Sequence, residues 1–134
     1  MENVESRVIV DSNILINFLR GKTEDVEFLN KLSKENILGT TDINAFELYY
    51  GAYKGSKQDE NLAATKGLLN SLFLIGTSED SMEIAAKLII DLEANGRAID
   101  MRDLFIAAMC LTNALPLLTK NKKHFENIEG LKLV

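Results

Sequence analysis

The chain reads as an α/β fold of three layers around a central, mainly parallel sheet of four to five strands. Two observations carry this. Short apolar or β-branched runs alternate with segments whose apolar residues recur at helical spacing. Four acids, Asp11, Glu47, Asp100 and Asp103, stand where strands should end or helices begin. In an open parallel sheet such places gather along one edge, where ligands bind.

The elements follow in order. Residues 7–11 form a continuous β-branched run closed by Asp11, which predicts a buried strand. Ser12 or Asn13 can cap the next helix, which carries Ile14, Leu15, Phe18 and Leu19 on one side and stops at Gly21. Thr23 is placed to cap a second helix with Val26, Leu29 and Leu32 inward; Glu24 and Asp25 suit its positive end. Residues 36–40 predict a second strand, and Thr41 or Asp42 caps a third helix to about Lys54. A polar turn at 55–60 leads into a helix near 59–71 and a third strand at 72–75. Ser78 caps a long helix with Met82, Ala85, Ala86, Ile89 and Leu92 at helical spacing, stopped near Asn95-Gly96. A helix from Asp100 to about Thr112 is apolar nearly all round, which predicts a central position. Pro116 opens a fourth strand at 117–119, residues 122–126 suit one helical turn, and 131–134 suit a last edge strand.

Length and composition narrow the class. At 134 residues, 46% hydrophobic and 26% charged, the chain predicts one domain, 1–134, able to bury a core. It lacks an apolar run of about 18 residues, the length of a membrane span. Met1 to Ser6 is acidic and polar, unlike a signal peptide. The lone Cys110 sits in an apolar run and reads as a buried, inert thiol, so the expected location is the cytoplasm. A net charge of −5 argues against a protein that coats nucleic acid, but leaves room for a nuclease whose acids hold a metal.

The chemistry begins with the acids. Carboxylates crowded on one edge repel unless a cation lies between them, and a hard divalent ion with oxygen ligands suits the place. Asp11 alone is explained by capping, and Asp103 by the dipole of the helix it opens. Glu47 is harder to dismiss, because an unpaired carboxylate is costly on the apolar face of Ala45-Phe46-Glu47-Leu48-Tyr49. Three such acids on one edge favour a metal over three independent caps. Asp100, one turn before Asp103, is either a further ligand or a cap. Ser12, Asn13 and Thr119 can hold carboxylates or waters in place. His124 has no second His and no Cys beside it, so it reads as packing with Phe125 rather than binding zinc. Arg97, Arg102, Lys120, Lys122 and Lys123 lie near the acidic edge and either meet phosphates or simply solvate the surface. Tyr49, Tyr50 and Tyr53, with Lys54, form an aromatic–basic stripe suited to stacked bases or to a partner helix. Gly51 to Lys57 has the wrong glycine spacing for a phosphate-binding loop and follows a helix.

Four segments together resemble the PIN domain family, and within it the VapC-like toxins of bacterial and archaeal toxin–antitoxin pairs. They are Val8-Ile9-Val10-Asp11-Ser12-Asn13, Thr40 to Leu48 around Glu47, Asp100 to Ala108 around Asp103, and Leu118 to Phe125 followed by Ile128 to Leu131. Each is weak alone; in order, over nearly the whole chain, they are specific. The resemblance implies a PIN-like sheet and an acidic metal-binding triad of Asp11, Glu47 and Asp103, with Asp100 as an additional acid. Many members place a fourth acid where this chain has Asn121, whose amide can ligate a metal or orient a water but brings no charge.

By resemblance, the implied function is that of a Mg²⁺- or Mn²⁺-dependent endoribonuclease leaving 5′-phosphate and 3′-hydroxyl ends. A homodimer and an antitoxin helix that covers the site are implied with it. No Ser–His–Asp set or Cys–His pair offers a competing nucleophile. Two other readings stand beside it: a PIN fold that only binds partners, and a phosphate-accepting receiver domain. Receivers carry their Asp after the third strand, where this chain has Ile75-Gly76-Thr77-Ser78.

Overall fold

A computed structural model describes residues 6–134; the polar stretch Met1 to Glu5 lies outside the described residues. The elements in order are β1 (Ser6–Val10), α1 (Ser12–Leu19), α2 (Thr23–Leu32), β2 (Asn36–Thr41), α3 (Asp42–Lys54) and α4 (Gln58–Asn70). They continue with β3 (Phe73–Ile75), α5 (Glu79–Ala94), α6 (Met101–Thr112), β4 (Leu117–Leu118) and α7 (Lys122–Phe125). The strands form one parallel sheet in the order β3-β2-β1-β4. The chain therefore walks outward from β1 to β3 and returns to the far side of β1 for β4. That reversal makes the carboxyl ends of β1 and β4 the topological switch point.

Alternation along β1 builds the layers. Ile9 packs with Ile106, Met109 and Phe125 on the α6–α7 side. Val8 and Val10 pack with Ile14, Leu15, Leu29 and Leu48 on the α1–α3 side. Leu117 and Leu118 divide between the same two faces. Helix α6, apolar nearly all round, is buried from Ile106 to Cys110 and joins α5 through Ala85, Leu104 and Ala108. Burial, with a smaller push from Asp11, raises the Cys110 thiol to about 12, so it stays protonated.

Several local expectations change. Asp11, not Ser12 or Asn13, caps α1 by accepting the Ser12 amide at 2.8 Å. Thr23 is the first residue of α2 rather than its cap; Lys22 holds the cap position without a side-chain bond. Thr41 and Ser78 cap α3 and α5 with reciprocal capping boxes. On α5, Met82 and Ala86 are exposed, while Ile84, Ala85 and Leu88 face α6. The last residues form a single parallel bridge, Leu133 to Leu117, at the β4 edge. Strand β3 is the opposite edge, and no acid follows it before Glu79. Among the described residues, no helix is long and apolar enough to cross a membrane.

Candidate active site

The switch point brings together residues far apart in sequence. The Asp11 amide donates to the Leu118 carbonyl at 2.9 Å, so the residue after β1 sits against the end of β4. Asp11 is wholly buried, yet its carboxylate is satisfied. Its Oδ1 accepts from the Ser12 amide, from Asn44 Nδ2 at 3.0 Å and from Arg102 Nη2 at 2.6 Å. Its Oδ2 accepts from the Thr119 hydroxyl at 2.7 Å. Thr119 in turn accepts the Asn121 amide at 3.1 Å, which ties the start of α7 to the same centre.

Helix α3 supplies the second wall. Asn44 is fully buried in the first turn; its Oδ1 accepts the Thr41 hydroxyl at 2.7 Å, and its Nδ2 also donates to Ser12 Oγ at 2.7 Å. Glu47 follows one turn later, with Oε1 accepting from Ser12 Oγ at 2.7 Å. Ser12 and Asn44 thus set the relative positions of two acids. Asp103, in the first turn of α6, is 4% exposed, and its Oδ2 lies 3.1 Å from His124 Nδ1.

Arg102 occupies the middle. Its Nε donates to both Glu47 oxygens at 3.0 and 2.9 Å, its Nη1 to Asp103 Oδ1 at 2.6 Å, and its Nη2 to Asp11. Burial alone would lower the arginine pKa, but the Glu47 hydrogen bond and the Asp11 charge outweigh it, so the guanidinium is held charged more firmly than usual. Three carboxylates surround one guanidinium, so acidic groups outnumber basic ones at the centre.

The expected site residues divide into two groups. Asp11, Glu47 and Asp103 converge, with Ser12, Thr119 and Arg102 bonded among them. Asp100 is exposed and caps α6, its side chain accepting the Arg102 amide at 3.1 Å. Asn13 is exposed. Asn121 contributes through its backbone. Lys120 places Nζ 2.9 Å from buried Asp25; that hydrogen bond leads the lowering of the Asp25 pKa, opposed by burial. Lys122 and Lys123 line a cleft of about 520 Å³ with Thr119, Asn121 and His124. A second cleft of about 540 Å³ runs from Asp103 and His124 over Asp100, Ile99 and Asn127.

Asn44 and the contact of His124 with Asp103 escaped the sequence reading. Asn44 carried one signal, the Thr41-x-x-Asn44 spacing of a reciprocal cap. Phe125 enters the core and His124 faces the acids, so the expected His124–Phe125 packing gives way to a polar contact. Asn44→Ala is expected to lower unfolding free energy by about 1–3 kcal/mol in urea melts, because buried partners lose their bonds. Asn44→Asp should lower it further, by placing another buried carboxylate beside Asp11. A wild-type midpoint for both variants would deny Asn44 its supporting role.

The donors fit a hard divalent ion: three carboxylates, two of them buried, converge with excess negative charge and no soft ligand among them. Their present arrangement is not a coordination sphere. Among the described residues, no three His, Cys, Asp or Glu side chains stand in a metal-holding group, because the three acids face the Arg102 guanidinium instead.

Helix α3 also presents an outer stripe. Phe46, Tyr50 and Tyr53 are 66%, 56% and 58% exposed, whereas Tyr49 is half-buried. The Phe46 and Tyr50 rings stack with centroids 6.2 Å apart, and Lys54 lies over Tyr50. A groove of about 380 Å³ between α1, α3 and α4 runs beside this helix and reaches Glu47.

Comparison with known proteins matches the sequence and the fold. The PIN domain family model aligns with residues 8–131. The chain is 32% identical to ribonuclease VapC1 of Methanocaldococcus jannaschii over 99% of its own length and 90% of that protein. It is 30% identical to ribonuclease VapC2 of Rickettsia felis, over 93% and 94% of the two chains. It also superposes, with TM-score 0.86 and 27% identity, on a chain in the crystal structure of VapBC2 from Rickettsia felis bound to a promoter DNA fragment, covering 96% of this chain and 97% of that one. With a family model over residues 8–131 and a ribonuclease VapC 32% identical over nearly the whole chain, the chain belongs to the PIN domain family, in its VapC group.

Proposed function

We propose that this protein is a metal-dependent endoribonuclease and the toxin of a toxin–antitoxin pair. The observation that carries the reading is the convergence of Asp11, Glu47 and Asp103 on one cationic point at the switch point of the sheet. The relatives named as VapC ribonucleases support the substrate class, RNA. Asp11, Glu47 and Asp103 would hold Mg²⁺ or Mn²⁺. Such an ion, when bound, polarises a phosphate and lowers the pKa of a bound water.

The chain's own residues do the rest. Thr119 and Asn44 fix Asp11, Ser12 fixes Glu47, and His124 meets the outer oxygen of Asp103. Lys122 and Lys123 place positive charge in the adjoining cleft, where phosphates of the RNA would lie. The stripe Phe46, Tyr50 and Tyr53 would receive an antitoxin helix, and the groove on the adjoining side of α3, lined by Glu47, Leu48, Gly51 and Ala52, would take its continuation. A homodimer working in the cytoplasm completes the proposal.

One observation favours a second reading, a PIN fold that only binds partners: an arginine fills the centre of the acidic cluster. Incubation with RNA in millimolar Mg²⁺ or Mn²⁺ separates the two. Cleavage is expected to yield 5′-phosphate ends and to stop in EDTA. Intact RNA at every metal concentration would leave only the binding module.

A further inference from the structure

We propose that Arg102 is the chain's own removable counter-ion, holding the three acids in the metal-free protein and competing with the divalent ion for the same oxygens. The inference rests on the metal-dependent reading above and concerns the regulation of that site.

The competition follows from lone pairs. Asp11 Oδ1 already accepts three donors, the Ser12 amide, Asn44 Nδ2 and Arg102 Nη2, and Oδ2 accepts Thr119. Glu47 Oε1 accepts Ser12 and Arg102. Asp103 Oδ1 accepts Arg102 Nη1. With three donors already on Oδ1, a metal ion held there would need one of them to leave. Ser12 and Asn44 are fixed by backbone position and burial, so the group that can yield is the arginine.

Arg102 is built to yield. Its side chain is 25% exposed, against 0% for Asp11 and 5% for Asp103, so it shares with Glu47, at 31%, a path to solvent that the two buried acids lack. Its backbone is anchored separately, by the Asp100 cap at the head of α6, so the side chain can leave without opening the helix. Its fork spans all three acids, with Nε and Nη2 on Glu47, Nη2 also on Asp11, and Nη1 on Asp103. A lysine ammonium has no such fork. In the metal-free chain this arrangement offsets the carboxylate repulsion. It also makes metal entry an exchange of cations, with an apparent affinity reduced by the stability of the arginine-bound state.

The test is Mn²⁺ binding by calorimetry, with thermal melts in EDTA and in Mn²⁺. Arg102→Met keeps the stem and removes the charge. It is expected to bind Mn²⁺ at least about tenfold more tightly than wild type, to melt lower in EDTA, and to gain more from Mn²⁺. Should that variant not fold in EDTA, Arg102→Lys serves, with an affinity expected to rise about threefold. Unchanged or weaker Mn²⁺ binding by the folded variant overturns the proposal, since Arg102 would then be indifferent to the ion or assist it. If neither wild type nor variant takes up Mn²⁺, the metal reading itself fails and this inference with it. Equal binding by both sinks the exchange alone.

Discussion

Asp11→Asn is expected to slow single-turnover RNA cleavage by at least about a hundredfold, a barrier increase of about 2.7 kcal/mol. The change keeps the size of the side chain and removes a charge and much of its strength as a hard-ion ligand. The structure shows how an amide fits. Its NH₂ must face Thr119, whose hydroxyl can turn to accept, because every partner of Oδ1 is a donor. The variant should therefore fold, with the remaining oxygen still accepting from Ser12, Asn44 and Arg102. Asp103→Asn should lose activity to a similar degree. Asp100→Asn keeps a good helix cap and should cost about tenfold at most, because Asp100 stands exposed outside the ring of acids. Circular dichroism must first show native folds. Near-normal cleavage by folded Asp11→Asn protein would remove Asp11 from the site, and an Asp100→Asn loss equal to that of Asp103→Asn would move Asp100 into it.

The structure also alters what these substitutions do to stability. From sequence, the acids appear as mutual repulsion, and removing one should relieve strain. Arg102 changes the sign, because the guanidinium already compensates the cluster. Asp11→Asn removes a buried ion-pair partner, so metal-free variants should melt below wild type.

Strands, helices and three of the acids could be read from the chain because their signals are local. The β-branched run before Asp11, the carboxylate on the apolar face of α3 and the apolar helix after Asp103 each declare themselves within a dozen residues. The site's internal bonding could not be read, because its partners are distant. Arg102 meets Asp11 across 91 positions, Ser12 meets Glu47 across 35, and Thr119 meets Asp11 across 108. The Thr119 contact depends on β4 returning beside β1, the other two on how α3 and α6 pack against the end of β1, and neither strand order nor helix placement is written in hydrophobic period. Hence Arg102 looked like a basic rim residue, and Asn44 like an ordinary residue of a helix start. On α5 the expected set Met82, Ala85, Ala86, Ile89 and Leu92 holds only in part: Ala85 and Ile89 pack against α6 with Ile84 and Leu88, while Met82 and Ala86 face outward.

Tyr50→Ala is expected to weaken binding of the cognate antitoxin by about thirtyfold, a loss of about 2 kcal/mol that marks an interface anchor. Phe46 and Tyr53 flank Tyr50 at helical spacing, and all three rings are more than half exposed on α3. Exposed aromatic stripes of this kind mark interaction surfaces. The rings carry large apolar area on few rotatable bonds, which favours a partner helix. Lys54 over the Tyr50 ring adds a cation at the edge of the stripe, and the groove beside α3 continues to Glu47. A partner that lies on the stripe and continues into that groove would reach Glu47, so its binding would be expected to cover the acidic centre. The decisive comparison sets antitoxin affinity against cleavage in the same variant. With a partner groove, affinity falls while cleavage by the free toxin changes less than about threefold, because no ring of the stripe bonds to the acids. With base stacking, cleavage falls instead, by the roughly 1–3 kcal/mol typical of a stacked base, about 5- to 150-fold. If Tyr50→Ala and Tyr53→Ala both leave affinity and cleavage unchanged, the stripe is ordinary surface and the antitoxin must dock elsewhere.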